Sequence, residues 1–405
     1  MKMYKENVKE LAIWTGLPAF ESFLHVGRPN IGDRDILLKR VNEMLDRRWF
    51  TNNGVFVQEF EQRLSEYLRV RNCIVVCNAT VGLEILTRAL DWQGDVIVPS
   101  FTFVASAHAL QWSGVRPLFC DVDPYTHNLD VSCVERLITP RVTGILGVHV
   151  WGRPCAIEEL TAVAMQHNLK LAYDAAHAFG CSFKGNMIGC FGEAEVFSFH
   201  ATKFFNSFEG GAIVTNNDEL ASKIRNMINF GFLGYDNVGY LGTNGKMTEV
   251  AAAMGLTSLE ALEKFVDVNL RNYEAYSKEL SEIPGIHLIS YDQHEKNNYQ
   301  YIIVEVESEK SFLTRDQLYD VLHAEHILSR RYFYPGCHKM EPYCTLYPED
   351  DERLQNTNRL STRTLSLPTG TAITEEDIRA ICQILRIAIS SGEEVGHQLN
   401  FYSNK

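Results

Sequence analysis

Basic side chains are scarce in this sequence, which has 38 lysine and arginine residues against 51 aspartate and glutamate residues. The formal net charge is −13 and the isoelectric point is near 5.5. A surface that binds nucleic acid or an anionic membrane needs a basic face that neutralises phosphate groups. The composition therefore argues against both kinds of partner. Any anionic small substrate must meet positive charge that is concentrated locally.

Closely spaced cysteine pairs are also absent, because none of the ten cysteines forms a C-x-x-C pattern. A chain of 405 residues buries enough apolar surface to fold without cross-links. We therefore expect reduced, mostly buried thiols, no metal site and a cytosolic protein.

Long apolar runs are missing as well. The longest uncharged stretch, residues 96–115, has the length of a membrane span but contains Pro99, Gly114 and several hydroxyl side chains. This stretch predicts a strand, a turn and a helix instead. The first ten residues contain no apolar core of the signal-peptide type. We therefore expect neither a membrane span nor a signal peptide.

Short apolar runs recur between residues 70 and 215, with helical patterns between them. The runs lack polar alternation, which is typical of parallel strands covered by helices on both faces. The pattern predicts an α/β fold with a largely parallel, seven-stranded sheet flanked by helices. The predicted strands are 73–77, 96–98, 117–120, 143–150, 171–173, 196–199 and 212–214.

The composition changes after this region. Five glycines alternate with four aromatic residues between 229 and 247, which predicts a long functional loop. Beyond this loop the patterns predict a helix over 249–265, a strand over 299–306 and a closing helix over 375–389. We assign a large domain to residues 27–246 and a smaller α+β C-terminal domain to residues 247–398, with residues 1–26 packing against the smaller one.

Lys203 is the first candidate for chemistry. It ends the segment Val-Phe-Ser-Phe-His-Ala-Thr-Lys, and two phenylalanines follow it. Aromatic neighbours exclude water, and desolvation favours the neutral amine that forms an imine with an aldehyde cofactor. A loop lysine is more often simply exposed, so Lys203 alone does not identify a site.

Asp174 changes that balance because it follows the predicted strand 171–173. Open α/β sheets bind ligands at the carboxyl ends of their strands. Pyridoxal 5′-phosphate (PLP) requires an anion beside its pyridine nitrogen, which keeps the ring protonated and makes it an electron sink. Asp174 alone is equally consistent with a helix N-cap, but Asp174 and Lys203 together favour a PLP site. Phe103, which also follows a strand, would stack on the ring unless it belongs to the core.

A phosphate site is indicated where a strand leads into a helix. Asn78, Ala79 and Thr80 follow the first predicted strand and open a helical pattern over 81–91. Backbone amides at a helix N-terminus bind phosphate, and the hydroxyls of Thr80 and Ser198 would add donors. Taken singly, Asn78 or Thr80 would be a helix cap and Ser198 a structural strand residue.

These segments resemble the DegT/DnrJ/StrS family of sugar-nucleotide aminotransferases, within the aspartate-aminotransferase fold class. The resemblance covers nearly the whole chain and implies the PLP-transferase fold type I. Its most specific motifs are residues 197–203 with 209–211, 173–178, 78–80, 27–29 and 51–54.

The resemblance implies two catalytic residues, Lys203 as the imine-forming lysine and proton shuttle and Asp174 on the pyridine nitrogen. It also implies a homodimer in which Asn229 reaches the neighbouring subunit's cofactor phosphate. In many relatives a glutamine occupies the place of His177, which is implied to lie near the ring hydroxyl. The implied cofactor contacts are Ala79, Thr80, Phe103, Asp174, His177, Ser198, Lys203 and Asn229.

The substrate residues follow from the same resemblance and from local charge. Residues 331–343 and 49–54 most resemble the corresponding segments of enzymes that aminate C4 of a sugar. Arg330 and Arg331 would bind a nucleotide diphosphate unless they are merely surface residues. The candidate substrate-binding residues are Asn53, Lys246, Arg330, Arg331, Tyr332 and His338.

The function implied is a PLP-dependent transfer of the amino group of L-glutamate to C4 of dTDP-4-dehydro-6-deoxy-D-glucose. The alternatives are amination at C3 of a 3-keto sugar nucleotide and a non-catalytic regulatory protein with the same fold. A third, a PLP-dependent sugar dehydratase of the family, has histidine in place of the lysine, and Lys203 argues against it.

Overall fold

The computed structural model describes residues 3–403. Its strands are short and lie mostly in the first half of the chain. They are β1 (Leu24–His25), β2 (Asn72–Val76), β3 (Asp95–Pro99), β4 (Arg116–Cys120), β5 (Val142–Val148), β6 (Lys170–Asp174), β7 (Ser182–Phe183), β8 (Asn186–Met187), β9 (Glu195–Ser198), β10 (Gly211–Thr215), β11 (Phe232–Gly234), β12 (Asn237–Val238), β13 (Ile286–Leu288), β14 (Ile302–Val306), β15 (Ile327–Leu328) and β16 (Thr364–Leu367).

Helices connect most of these strands and also form the end of the described chain. They are α1 (Ala12–Thr15), α2 (Arg34–Arg47), α3 (Val55–Leu68), α4 (Ala79–Ala89), α5 (Ala105–Trp112), α6 (Val131–Leu137), α7 (Ile157–His167), α8 (Asp218–Met227), α9 (Glu249–Glu260), α10 (Leu262–Leu280), α11 (Ser308–Ser311), α12 (Arg315–Ala324), α13 (Tyr343–Leu346), α14 (Gln355–Arg363), α15 (Glu375–Ser390) and α16 (Gly392–Ser403).

The main sheet has seven strands in the order β2-β10-β9-β6-β5-β3-β4, and these are the seven predicted runs. Strand β10 is antiparallel to both of its neighbours, whereas the other pairings are parallel. The predicted run 143–150 stops at Val148 because Trp151 adopts a left-handed backbone conformation with φ of 63°.

The sheet is buried on both faces, which explains why its strands show no polar alternation. Successive side chains of a strand point to opposite faces. In β3, Ile97 packs in the core beneath α3, α7 and α9, whereas Val96 and Val98 pack against α4, α5 and α8. The helices on both faces confirm the predicted α/β layering.

A second core lies around the antiparallel sheet β13-β14-β16 and helices α12 and α15. Leu11, Ala19 and Phe20 from the start of the chain pack in it. The predicted domain boundary remains a prediction, but α9, the first helix beyond it, packs in the core of the main sheet.

Two predicted elements of the C-terminal half differ from the structure. The predicted helix 249–265 is two helices, because the chain turns at Ala261 between α9 and α10. The predicted strand 299–306 begins only at Ile302, because Tyr299 has a φ of 47° and Asn298 and Gln300 donate side-chain hydrogen bonds to the carbonyl oxygen of His177.

The remaining expectations concern thiols and membranes. All ten cysteines are free thiols, and six of them are buried. Within residues 3–403, every helix is too short or too polar to cross a membrane.

Glu249 on α9 joins this helix to α3, and both helices cover the same face of the sheet. Its buried carboxylate accepts hydrogen bonds from the backbone N–H groups of Phe56 and Val57, at 3.0 and 2.9 Å, and so caps the start of α3. A carboxylate in this position also interacts favourably with the positive end of the helix dipole.

We expect Glu249→Ala to lower the free energy of unfolding by about 1–3 kcal/mol, because two buried donors lose their acceptor. Urea titration of the variant and the parent protein measures this difference. Glu274→Ala is the control, because Glu274 is exposed on α10. Equal changes in the two variants would contradict a capping role.

Candidate active site

A cavity of about 600 Å³ opens at the carboxyl edge of the main sheet. One wall consists of residues at or just after the ends of strands β2, β3, β5, β6 and β9, and the opposite wall consists of Tyr301, Arg330, Tyr332 and Phe333. The cavity brings together most of the predicted site residues. These are Ala79, Thr80, Phe103, Asp174, His177, Ser198, Lys203, Arg330 and Tyr332.

Lys203 lies in the turn after β9, and its side chain is partly exposed to the cavity. Its Nζ donates a hydrogen bond to Tyr301 Oη at 3.1 Å. Desolvation lowers the pKa of Lys203 to about 8, although Tyr332 and Asp174 favour the charged form. A substantial fraction of the side chain is therefore a neutral amine near physiological pH.

Asp174 is the last residue of β6 and is almost fully buried. Its carboxylate accepts hydrogen bonds from Ser106 Oγ at 2.7 Å and from the backbone N–H of Ala176 at 3.0 Å. Burial raises the pKa of Asp174, and these hydrogen bonds and the nearby Lys203 counteract the rise. A cationic group in the cavity would stabilise the carboxylate further.

The start of α4 faces the same cavity. Asn78 caps the helix by accepting a hydrogen bond from the Val81 N–H at 2.9 Å, which confirms the simpler explanation for that residue. The amides of Ala79 and Thr80 belong to the first turn, where no carbonyl inside the helix is available to them. Together with the Ser198 side chain, they give this end of the cavity the character of an anion site.

Aromatic rings form the two sides of the cavity. Phe103 is 57% exposed, so its ring is available to a ligand. His177 is buried, its Nδ1 accepts a hydrogen bond from the Trp151 N–H at 3.3 Å, and its ring is nearly parallel to that of Phe333. Burial holds the pKa of His177 well below its usual range, so its ring is neutral and Nε2 carries the proton.

A model of the DegT/DnrJ/EryC1/StrS aminotransferase family matches residues 32–386. The chain belongs to this family. It is therefore a PLP-dependent aminotransferase.

Two curated relatives of this aminotransferase cover most of it. A dTDP-4-amino-4,6-dideoxy-D-glucose transaminase of Shigella dysenteriae is 35% identical over 366 residues, which are 90% of this chain and 99% of the relative. A GDP-perosamine synthase of Caulobacter vibrioides is 34% identical over 361 residues, which are 87% and 94% of the two chains.

Solved structures confirm the predicted fold type. The structure of DesI in the presence of its TDP-sugar product is 46% identical, with a TM-score of 0.91, and covers 97% of this chain and 99% of that one. The aminotransferase PseC of Helicobacter pylori, which takes part in pseudoaminic acid biosynthesis, is 25% identical with a TM-score of 0.85 and covers 91% and 100%.

The residues of this aminotransferase fit the three reactive parts of PLP, which are a phosphate, a pyridine nitrogen and an aldehyde. The start of α4 offers amides, Asp174 offers an anion and Lys203 offers an amine. A Cβ at Gly211 would lie 2.6 Å from the Phe197 carbonyl oxygen and 2.9 Å from the Ala79 nitrogen, in close contact with both. This contact explains why a glycine stands where β10 passes the helix start.

Some predicted residues lie outside the cavity of their own chain. Asn229 and Lys246 form a 2.9 Å hydrogen bond with each other in the loop after α8. Asn53 is exposed in the turn before α3 and lines a different surface groove. None of these three residues lines the active-site cavity of its own chain.

The structure argues against substrate roles for Arg331 and His338. Arg331 forms an ion pair with Asp316 at 2.9 Å and lies over the ring of Tyr319. His338 is buried, and its Nδ1 lies 2.7 Å from Ser100 Oγ. Both side chains are occupied by contacts that hold the segment after β15 in place.

The sequence reasoning missed Ser106 and Tyr301. Ser106 had a usable signal, because it follows the end of β3 at the ligand-binding edge of the sheet, as Phe103 does. Tyr301 precedes β14, which lies outside the main sheet, so only tertiary packing brings it to Lys203.

The lowered pKa of Lys203 predicts its reactivity. In the cofactor-free protein, acylation of Lys203 by an amine-directed reagent should rise with pH around a midpoint of about 8, because only the neutral amine reacts. In urea-denatured protein the midpoint for the same lysine should lie at a pH of about 10.4. Mass spectrometry of the labelled peptide measures both, and coincident midpoints would contradict the desolvated environment.

Proposed function

We propose that the protein transfers the amino group of L-glutamate to C4 of dTDP-4-dehydro-6-deoxy-D-glucose, which gives dTDP-4-amino-4,6-dideoxy-D-glucose. The observation that carries this proposal is the single cavity in which the Lys203 amine, the Asp174 carboxylate and the start of α4 meet. The similarity to the Shigella transaminase and to the DesI structure with its TDP-sugar product supports the choice of sugar and nucleotide.

Lys203 is the proposed catalytic residue. When PLP is bound, its protonated pyridine ring supplies an electron sink. The Lys203 amine would hold the aldehyde end of the cofactor, and in its neutral form Nζ would take the proton from the α-carbon of the amino donor. Tyr301 Oη, 3.1 Å from Nζ, keeps the amine in position between these tasks.

The remaining contacts hold the cofactor. Asp174 would keep the pyridine nitrogen protonated, and Ser106, which donates a hydrogen bond to the Asp174 carboxylate, orients that group. The proposed phosphate ligands are the amides of Ala79 and Thr80 with the hydroxyl groups of Thr80 and Ser198.

The proposed ring contacts are Phe103 and His177. Phe103 stacks on one face of the cofactor ring, where its exposed side chain would lose contact with water. The neutral His177 donates from Nε2 to the ring hydroxyl, because its Nδ1 is already occupied by the Trp151 N–H.

The loop after α8 supports the proposal of a homodimer with shared active sites. Its apolar side chains are exposed in the single chain, and contiguous exposed apolar surface usually marks an interface. They are Phe230, Phe232, Leu233, Tyr235, Val238, Tyr240 and Leu241. In the proposed dimer this loop covers the neighbouring subunit, Asn229 reaches that subunit's cofactor phosphate, and Asn53 and Lys246 approach its substrate.

The thiols support the proposal that the protein works in the cytosol. All ten cysteines are free, and such thiols persist in a reducing compartment.

The substrate proposal is tested by offering 4-keto and 3-keto dTDP-sugars separately with glutamate. We expect nitrogen at C4 of the 4-keto sugar, located by NMR of the product. A GDP-linked 4-keto sugar belongs in the same panel, because a GDP-perosamine synthase is among the relatives. Exclusive amination at C3, or exclusive use of the GDP-sugar, would replace the proposed substrate and leave the aminotransferase chemistry in place.

The shared site is tested by mixing inactive variants. Lys203→Ala subunits and Asn229→Ala subunits should regain activity after subunit exchange, because one site of each hybrid carries both substitutions and the other carries neither. A mixture of Lys203→Ala with Asp174→Ala is the control. Both residues belong to the same cavity, so every hybrid site keeps one lesion and should stay inactive. Equal results for the two mixtures would contradict the shared site.

A further inference from the structure

A second cavity of about 370 Å³ lies directly behind the active-site cavity. The two cavities share four wall residues, namely Thr202, Tyr301, Arg330 and Tyr332. We call this second cavity the rear chamber and define it by these four residues with His25, His323 and Ser329. Because Tyr301 Oη accepts a hydrogen bond from Lys203 Nζ, the chamber begins one side chain away from the reacting amine.

The rear chamber is free of acidic side chains, although the protein as a whole is acidic. Arg330 supplies its positive charge, and His25 and His323 also line it. Among residues 3–403 no carboxylate forms an ion pair with Arg330, whereas the adjacent Arg331 is paired with Asp316. The positive charge of Arg330 is therefore available to an anion.

Ser329 adds a second and independent observation. It is fully buried on the wall of the chamber, and its Oγ has no hydrogen-bond partner among the described residues. Buried hydroxyl groups are nearly always paired, because leaving one unpaired is unfavourable. The neighbouring His323 donates from Nε2 to the Ser329 carbonyl oxygen at 3.1 Å and stacks on Tyr319, which fixes this part of the wall.

We propose that the rear chamber binds the distal carboxylate of a dicarboxylic amino donor, with Arg330 and Ser329 as its hydrogen-bond donors. The inference rests on the proposed transamination and names the class of amino acid that serves it. The donor's nitrogen must reach the place of Lys203 Nζ, and the distal carboxylate of a dicarboxylic amino acid is then only a few bonds away. In a nucleotide sugar the diphosphate is separated from C4 by the sugar ring, so its charge lies farther from the reacting carbon.

The experiment uses the PLP-loaded protein and the variants Arg330→Gln, Ser329→Ala and Arg331→Gln. The reaction with glutamate alone is followed by the change in cofactor absorption. We expect Arg330→Gln to raise the half-saturating glutamate concentration by about tenfold or more, since it removes a charge-assisted hydrogen bond. Ser329→Ala should raise it by a smaller factor. Arg331→Gln, the matched control, should leave it unchanged.

Alanine is the comparison donor, because it lacks a distal carboxylate. Its slower reaction should be unaffected by Arg330→Gln, so that the preference for glutamate over alanine falls. Glutarate supplies a readout besides activity, since it has two carboxylates and no amine. Calorimetry should detect glutarate binding to the parent protein and a loss of about tenfold or more in affinity with Arg330→Gln.

The sugar half of the reaction separates the two possible anions. The pyridoxamine form of Arg330→Gln should lose much less of its reaction with the keto-sugar nucleotide than the PLP form loses of its reaction with glutamate. If that reaction is impaired while the glutamate reaction is normal, the chamber serves the diphosphate and the inference is wrong. Equal loss for glutamate and alanine would also overturn it, because the change would then affect the cofactor.

The assignment of the sugar substrate and the assignment of the rear chamber can be rejected independently. If no keto sugar of the panel is aminated but glutarate still binds through Arg330, the sugar assignment fails and the chamber stands. If the 4-keto sugar is aminated from glutamate but Arg330→Gln changes neither donor preference nor glutarate affinity, the chamber assignment fails and the aminotransferase assignment stands.

Discussion

The site depends on the electrostatic attraction between Lys203 and Asp174, because burial disfavours the charged form of both side chains. Burial lowers the pKa of the amine and raises the pKa of the carboxylate, so the cavity disfavours both charges. Each residue partly restores the charge of the other through their mutual attraction. The protein thereby keeps a reactive neutral amine available beside a carboxylate that a cationic ring would stabilise further.

The parallel sheet makes this arrangement possible. Strands β5, β6 and β9 end at the same edge, and the register pairs Val148 with Asp174 and Asp174 with Val196. The turn after β9 therefore brings Lys203 to the residue that ends β6. Buried apolar side chains pack on both faces of the sheet and hold these strand ends in place.

The part of the site that depends on strand ends could be predicted from the sequence, and the part that depends on packing between distant segments could not. Asp174, Lys203 and the start of α4 were found because apolar runs locate the strands and polar residues follow them. The contacts of Arg331 with Asp316 and of His338 with Ser100 could not be predicted, because they depend on packing between separate segments of the chain. Arg330 and Arg331 look alike in the sequence. The fold pairs Arg331 with Asp316 and leaves Arg330 available to an anion.

The helix prediction over 249–265 failed for a related reason. The apolar residues of α9 and the start of α10 continue one another in sequence, but both pack in the core of the main sheet, where the turn at Ala261 changes their direction. Periodicity reports which residues are buried and does not report a change of direction between two buried helices.

The wall between the two cavities has a consequence for a reaction with two unlike substrates. Tyr301, Arg330 and Tyr332 face the active-site cavity on one side and the rear chamber on the other. On the proposed function, an amino acid and a nucleotide sugar react in turn at the same amine position, so they cannot differ in where they react. They can differ in the direction in which the rest of each molecule extends. In our proposals, the rear chamber holds a short carboxylate, and the open cavity, with the neighbouring subunit's loop above it, holds the long nucleotide. One cofactor would then serve both substrates without either binding site blocking the other.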